Sequence, residues 1–116
     1  MSDNAQKTME LGNKAYLDKK YEDSLRFFME GTRLFPDDPA FHCKVAMVAY
    51  KLKDHKTAIV HYERALEINP KDRDTLLALG LVFVKTGEKV KALAAYDRLK
   101  KLHPEKAETL YKAIYQ

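Results

Sequence analysis

The 116-residue sequence contains one cysteine, Cys43, and no tryptophan. A single thiol cannot form a disulfide within the chain, so packing rather than covalent bridges must stabilise the fold. A chain of this length buries roughly two thirds of the surface that its unfolded form exposes, which is enough for one domain without such bridges. An isolated thiol favours a reducing compartment, and we therefore expect a cytoplasmic protein.

Long apolar runs are also missing. The longest stretch, residues 76–84, is interrupted by Gly80 and is far shorter than the roughly 20 residues of a membrane-spanning helix. The first ten residues, MSDNAQKTME, lack the basic lead and apolar segment of a secretion signal. We expect a soluble, unprocessed chain with no membrane partner.

Charge of neither sign is scarce. The chain has 21 Lys and Arg residues against 17 Asp and Glu residues, a net charge of +4 and a pI of about 9.1. Its basic residues are spread along the whole sequence, whereas a phosphate-binding surface needs them on one face. The balance favours solubility, and nucleic-acid binding is the weaker interpretation of the basic pI.

Proline is infrequent, but three of the four prolines recur 34 residues apart, at positions 36, 70 and 104. A fixed period of this length indicates a repeat architecture. Within each unit the apolar spacing is helical, as in Leu76, Leu79 and Phe83, and two helices fit per unit. The first helices end at 17–20, 51–54 and 85–88. Each proline then ends a second helix, and the acidic residues beside it favour the start of the next helix.

Small and aromatic residues recur in the same register. Segments starting at residues 5, 39 and 73 align Gly12, Ala46 and Gly80, then Ser24, Ala58 and Ala92, then Phe28, Tyr62 and Tyr96, then Gly31, Ala65 and Leu99. This pattern resembles the tetratricopeptide repeat. The resemblance implies an all-α fold, a right-handed α-solenoid of three antiparallel helix pairs plus a seventh capping helix. The chain 1–116 would be a single domain with repeats 5–38, 39–72 and 73–106 and a capping helix at 107–116.

The repeats depart from the family pattern at several positions. Thr8 and His42 occupy a site where a bulky apolar residue is usual, and Val45-Ala46 replaces Leu-Gly in the second repeat. Leu110, Ala113 and Ile114 hold packing positions in the last segment, which resembles the opening helix of a fourth repeat.

In the family, the first helix of each pair lines a concave groove that binds polypeptides. The resemblance places a set of largely apolar or aromatic residues there, and Met adapts its shape to varied partners. Packing of helix against helix is the alternative role for each of them, and the sequence leaves it open. The candidate groove residues are Met9, Asn13, Tyr16, Leu17, Cys43, Met47, Tyr50, Lys51, Leu77, Leu81, Val84, Lys85, Tyr111 and Tyr115.

The family's carboxylate clamp holds the acidic carboxyl terminus of heat-shock chaperones. Its five polar positions map to Met9, Asn13, Lys44, Asp74 and Ala78, and of these only Asn13 matches. Three positions that should be cationic are therefore not, which removes the charge-assisted bonds that hold a carboxylate. We expect instead an apolar groove for an extended or helical segment of a partner protein, in a scaffold or chaperone-like adaptor. Nearby lysines suggest acidic flanks on that segment.

The positions of the histidines and of Cys43 in the sequence do not indicate a catalytic or metal site. His42, His55, His61 and His103 fall on different helices or loops, and no nucleophile, base and orienting group converge. His55 and His61 are not three or four residues apart, as a helical metal site requires, and Cys43 is adjacent to His42 and so points elsewhere. We expect no enzymatic activity, no metal and no cofactor.

Self-association is the main alternative function. Phe27, Phe35 and Phe41 exceed what the repeat pattern requires of the first pair and its junction, and the open ends of a short stack could dock on copies of themselves. A homodimer or a larger assembly would then replace a partner protein.

The small residues generate a stability prediction. If Ala58 lies where two helix axes approach closely, Ala58→Leu overpacks that contact and lowers the free energy of unfolding by about 1 to 3 kcal/mol. Urea denaturation of the two chains measures the difference, and an unchanged midpoint would place Ala58 outside the contact.

Overall fold

The computed structural model describes residues 3–116, so Met1 and Ser2 of the predicted 1–116 domain lie outside the described residues. These residues form seven α-helices without a β-strand. The helices are α1 (Asp3–Leu17), α2 (Tyr21–Leu34), α3 (Pro39–Lys51), α4 (His55–Ile68), α5 (Arg73–Lys85), α6 (Lys89–Leu102) and α7 (Pro104–Tyr115).

The helices stack in chain order. Each one packs against the next, and α5 also contacts α7 across the end of the stack. The result is elongated, with principal extents of 40 × 25 × 20 Å, as expected of a solenoid of helix pairs. This architecture confirms the predicted all-α solenoid. None of the described helices is both long and apolar enough to cross a bilayer.

The turn within each helix pair has the same geometry. Lys19, Lys53 and Gly87 have φ angles of +60°, +66° and +76°, and they are spaced by the repeat period. The next residue donates its backbone N–H to a carbonyl five positions back, for example from Asp54 to Ala49 at 2.8 Å. This is the Schellman arrangement, which satisfies carbonyls at a helix end and favours glycine at the left-handed position. Two of the three turns hold lysine there.

The junctions between pairs depend on side-chain caps. Asp38 accepts a hydrogen bond from the Ala40 N–H, and Asp72 accepts from the Asp74 and Thr75 N–H groups. At the third junction the acidic residue Glu105 lies in the first turn of α7, as the sequence predicts, and the side-chain cap is His103, whose Nδ1 accepts a hydrogen bond from the Lys106 N–H at 3.1 Å. Since proline is favoured at the first helical position, α7 begins directly at Pro104, three residues before the expected start.

Close approach of the helices depends on small residues. A Cβ atom added to Gly12 would lie 2.4 Å from the Phe28 ring, and one added to Gly80 would lie 2.5 Å from Leu110. The Ser24 hydroxyl donates to the Gly12 carbonyl at 2.8 Å, so this buried polar group is satisfied where alanine is usual. Ala58 is fully buried at the equivalent place in the second pair.

The buried side chains form two cores. A smaller N-terminal core joins α1, α2 and α3, and a larger C-terminal core extends from α3 to α7. Phe41 belongs to the N-terminal core, with no exposed surface, and Phe35 stacks on it at a ring-centroid distance of 5.8 Å. The prediction that Phe41 is surplus to the fold was therefore wrong. Its burial stabilises the junction by roughly 1.5 to 3 kcal/mol and removes it from any self-association surface.

The left-handed turns generate a prediction. Lys53→Gly should raise the free energy of unfolding by about 0.5 to 1 kcal/mol, because glycine adopts a positive φ without the steric penalty that lysine carries. Thermal or urea denaturation measures the change.

Gly87→Ala is the matched control. An added Cβ at Gly87 meets no atom within 4 Å, so its cost comes from the backbone alone and should be about 1 kcal/mol of destabilisation. If Lys53→Gly lowered the free energy of unfolding and Gly87→Ala raised it, the positive φ angles of these turns would not be a source of strain for side-chain-bearing residues.

Candidate functional site

An open groove of about 420 Å³ lies between α3 and α5. Its two walls come from residues spaced by three or four positions along each helix, which places them on one helical face. The lining residues are Ala40, Cys43, Lys44 and Met47 from α3, Tyr62 from α4, and Asp72, Asp74, Thr75 and Ala78 from the start of α5.

A hydrogen bond connects the two walls. Cys43 Sγ lies 3.2 Å from Thr75 Oγ1, and the Thr75 hydroxyl lies 3.0 Å from an Asp72 carboxylate oxygen. Burial raises the pKa of the Cys43 thiol, so the group stays protonated at neutral pH. The thiol therefore acts as a small apolar wall residue and not as a nucleophile.

Tyr62 connects several of the predicted groove residues. It is 9% exposed, and burial raises the pKa of its phenol to about 12. It lines the same groove as Cys43 and Met47 of α3, and Cys43 packs against the core to which Tyr62 belongs. The structure thus places a tyrosine of α4 beside the α3 wall of the groove. The repeat pattern assigned Tyr62 to packing alone, and its place in the groove was missed.

The predicted groove residues divide into two groups, and none is fully buried. The first group is half-buried and, apart from Asn13, packs against one of the two cores; it contains Met9, Asn13, Tyr16, Cys43, Met47, Leu77 and Val84. The second group is exposed and contains Leu17, Tyr50, Lys51, Leu81, Lys85, Tyr111 and Tyr115.

Three residues of the exposed group lie on the two helices that form the groove walls. Tyr50 and Lys51 follow Met47 by three and four residues on α3, and Leu81 follows Ala78 by three on α5. Tyr50 is 38% exposed and Leu81 37%. The spacing places each of them on the same helical face as the wall residue that precedes it.

The tyrosines of α7 form a separate aromatic cluster. Tyr111 lies between Tyr96 and Tyr115, with ring-centroid distances of 5.5 and 4.8 Å. Lys89 Nζ sits 4.4 Å from the Tyr115 ring centroid, within the range of a cation–π contact. These residues cover the end of the stack and are not part of the α3–α5 groove lining.

The residues at the clamp positions differ in charge from the family's carboxylate clamp. Asp74 lies in the groove wall and pairs with Lys106 at 3.0 Å. The hydrogen bond and charge of Lys106 hold the pKa of Asp74 below its usual value, so the carboxylate stays ionised. Met9 and Ala78 add no positive charge, so Lys44 is the one cation among the five clamp positions. These positions therefore lack the three cations with which a clamp holds a terminal carboxylate.

Two histidines that the sequence places on separate helices meet in the structure. His42 Nδ1 and His61 Nδ1 are 3.1 Å apart, and His42 Nε2 is 2.9 Å from the Pro36 carbonyl oxygen. His42 is 7% exposed, in the site that bulky apolar residues fill in the family pattern. Within residues 3–116 no set of three His, Cys, Asp or Glu side chains is grouped to hold a metal ion.

Comparison with known protein families identifies the repeats. Family models described as tetratricopeptide repeat match residues 39–72 and 74–106, which together exceed half of the chain. The chain belongs to the tetratricopeptide repeat family. The match to residues 39–72 coincides with the second predicted repeat, and the match to residues 74–106 begins one residue after the start of the third. The fold is accordingly the right-handed α-solenoid of this family.

Solved structures of the same fold cover nearly the whole chain. The first tetratricopeptide domain of Spaghetti, bound to an HSP90 peptide, matches with a TM-score of 0.90 and 22% identity over 100% of this chain and 94% of that one. The TPR2B domain of yeast Sti1 in complex with an Hsp70 peptide matches at 0.90 and 18% identity, over 99% and 98%. The Yersinia enterocolitica secretion chaperone SycD, with a YopD peptide, matches at 0.89 and 18% identity, over 99% and 95%. At these identities the likeness establishes the fold.

The buried thiol generates a prediction. Because Cys43 is half-buried and burial raises the pKa of its thiol, its alkylation by iodoacetamide at about neutral pH should be slower than in the urea-unfolded chain. Mass spectrometry of timed samples measures both rates. Equal rates in the folded and unfolded chains would place Cys43 outside the half-buried groove wall.

Proposed function

We propose that this tetratricopeptide repeat chain is a protein-interaction module that binds an extended or helical segment of a partner protein in the α3–α5 groove. The observation that carries the proposal is the groove itself, whose walls present Cys43, Met47 and Ala78 and continue to the exposed Tyr50 and Leu81. An apolar concavity of this size on a solvent-facing helix pair has the character of a ligand site.

The fold relatives support this mode of binding. Spaghetti, Sti1 and SycD each have this helical stack and are each seen with a peptide of another protein. We infer that the present chain uses its stack in the same general way, as a scaffold or chaperone-like adaptor without a catalytic step. The whole of residues 1–116 would act as one domain, with repeats 5–38, 39–72 and 73–106 and a cap at 107–116.

The chemistry of the groove distinguishes its guest from a chaperone carboxyl terminus. The clamp positions hold Met9, Asp74 and Ala78, and Asp74 is already paired with Lys106. Binding energy must therefore come from apolar burial. We propose Met47, Tyr50 and Leu81 as the main anchors, because a few buried aromatic and aliphatic contacts near the centre of an interface carry most of its affinity.

Lysines near the groove support a partner segment with acidic flanks. Lys44 lies in the groove wall, and Lys85 and Lys112 belong to the helices α5 and α7. Among residues 3–116 these three make no ion pair, whereas Lys51 lies 5.6 Å from the Tyr21 ring centroid. Unpaired cations around an apolar centre attract and orient an acidic segment, mainly by raising its association rate.

The remaining predicted residues extend the proposed surface at both ends. Met9, Asn13, Tyr16 and Leu17 belong to α1, and Leu17 is 80% exposed. Leu77, Val84, Tyr111 and Tyr115 lie towards the other end. We propose that a long partner segment contacts these ends, while a short one occupies the α3–α5 groove alone.

Truncation of Tyr50 tests the anchor assignment. Tyr50→Ala should weaken partner binding by about 1 to 3 kcal/mol, because the ring is lost from the interface but contributes little to the core. Affinity capture from native cell extract with the parent chain identifies partners, and calorimetry with a captured partner segment then measures both affinities.

Val60→Ala provides the control. Val60 is 60% exposed on α4, a helix behind the groove walls, so its truncation should leave the affinity unchanged. A segment that binds Tyr50→Ala as tightly as the parent, or that loses affinity for Val60→Ala instead, would show that the site lies elsewhere on the stack.

A further inference from the structure

The facing imidazoles of His42 and His61 join three parts of the chain. His42 belongs to α3, His61 to α4, and Pro36 to the connection between the first and second helix pairs. We propose that the two histidines form a proton-sharing pair that holds this junction together near neutral pH and loosens it in mild acid. The proposal is independent of what the groove binds.

The hydrogen bonds limit the protons that the pair can carry. A carbonyl oxygen only accepts, so His42 must donate from Nε2 to Pro36. In the neutral pair one of the two facing Nδ1 atoms donates and the other accepts, at 3.1 Å. One added proton is tolerated, because a cationic His42 can donate from Nδ1 to a neutral His61. A second added proton would direct two N–H groups at each other, and the contact must then break.

The two carboxylates of the connecting loop have other partners. From the connecting loop, Asp37 lies 3.4 Å from Arg64 of α4, and Asp38 caps the Ala40 N–H at 2.9 Å. Burial lowers the pKa of His61, and the charge of His42 lowers it further, while no acidic group contributes to the shift. Arg64 adds a fixed positive charge one helical turn beyond His61.

Packing alone does not require histidine at these positions. The repeat period aligns His42 with Leu76, which is fully buried, and aligns His61 with Ala95, which is 5% exposed. The third helix pair thus fills the same two places with apolar side chains and forms the same fold. The second pair has a titratable contact where an apolar contact suffices.

The sign of the effect follows from the proton count. In the unfolded chain each histidine binds a proton near the ordinary imidazole pKa of about 6.5, whereas the folded pair resists the second proton. The stability contributed by the pair is therefore fully present above this value and is lost as the pH falls below it. If folding lowers the pKa of the second protonation by one unit, the unfolding equilibrium constant rises about tenfold more between neutral pH and a pH below both pKa values than it would without that shift.

The test compares the parent chain with the double variant His42→Leu/His61→Ala, which copies the third pair. Urea denaturation at about pH 7.5 and at about pH 5.5 brackets the ordinary titration of histidine. Acidification should lower the urea midpoint of the parent chain more than that of the variant, and the unfolding constant of the parent should rise several-fold more, up to about tenfold. Both chains keep His55 and His103, so the titration of those residues, including the α7 cap, cancels in the comparison.

Nuclear magnetic resonance of the parent chain provides the second measurement and does not depend on the variant folding. Imidazole resonances of His42 and His61 should titrate in two coupled steps separated by more than about one pH unit. Equal losses of stability in the two chains would overturn the proposal. Two independent titrations with a common midpoint near that of an unfolded histidine would overturn it as well.

Discussion

The close approach of helices at small residues is the constraint on which this structure depends. Gly12 lies under the Phe28 ring, Gly80 under Leu110, and Ala58 is fully buried. Side chains larger than these would separate the helix axes and open voids that a close-packed interior does not tolerate. Because small residues recur at these positions every 34 residues, each helix pair packs on the next in a similar way, and a solenoid follows from local packing.

The groove is a consequence of that packing. The recurring small and aromatic residues face other helices, which leaves one face of α3 and of α5 without a covering element. Cys43 and Thr75 connect the two faces through a hydrogen bond, and Tyr62 of α4 contributes to the groove lining. Apart from Tyr62, the residues that line the groove lie outside the repeat pattern, so the pattern accounts for the stack but not for the chemistry of the groove.

The repeat period predicted much of this fold because helix spacing and helix ends are local properties. Contacts between distant positions were harder to foresee. His103 caps α7, where Asp38 and Asp72 cap the equivalent helices. Phe41 is buried in the N-terminal core, and His42 of α3 contacts His61 of α4. Each depends on the rotation of one helix against another, which spacing along the chain does not specify. The groove position of Tyr62 was missed for the same reason, since the repeat pattern assigns its ring to packing between helices.

We propose that the face shared by α3 and α5 holds a segment of another protein. Amide chemical-shift mapping of the isotope-labelled chain, while a captured partner segment is added, tests this proposal residue by residue. The largest changes are expected at Cys43, Met47, Tyr50 and Leu81, with small changes along the outer faces of α4 and α6. Changes concentrated on α4 and α6, with the groove amides unmoved, would contradict it.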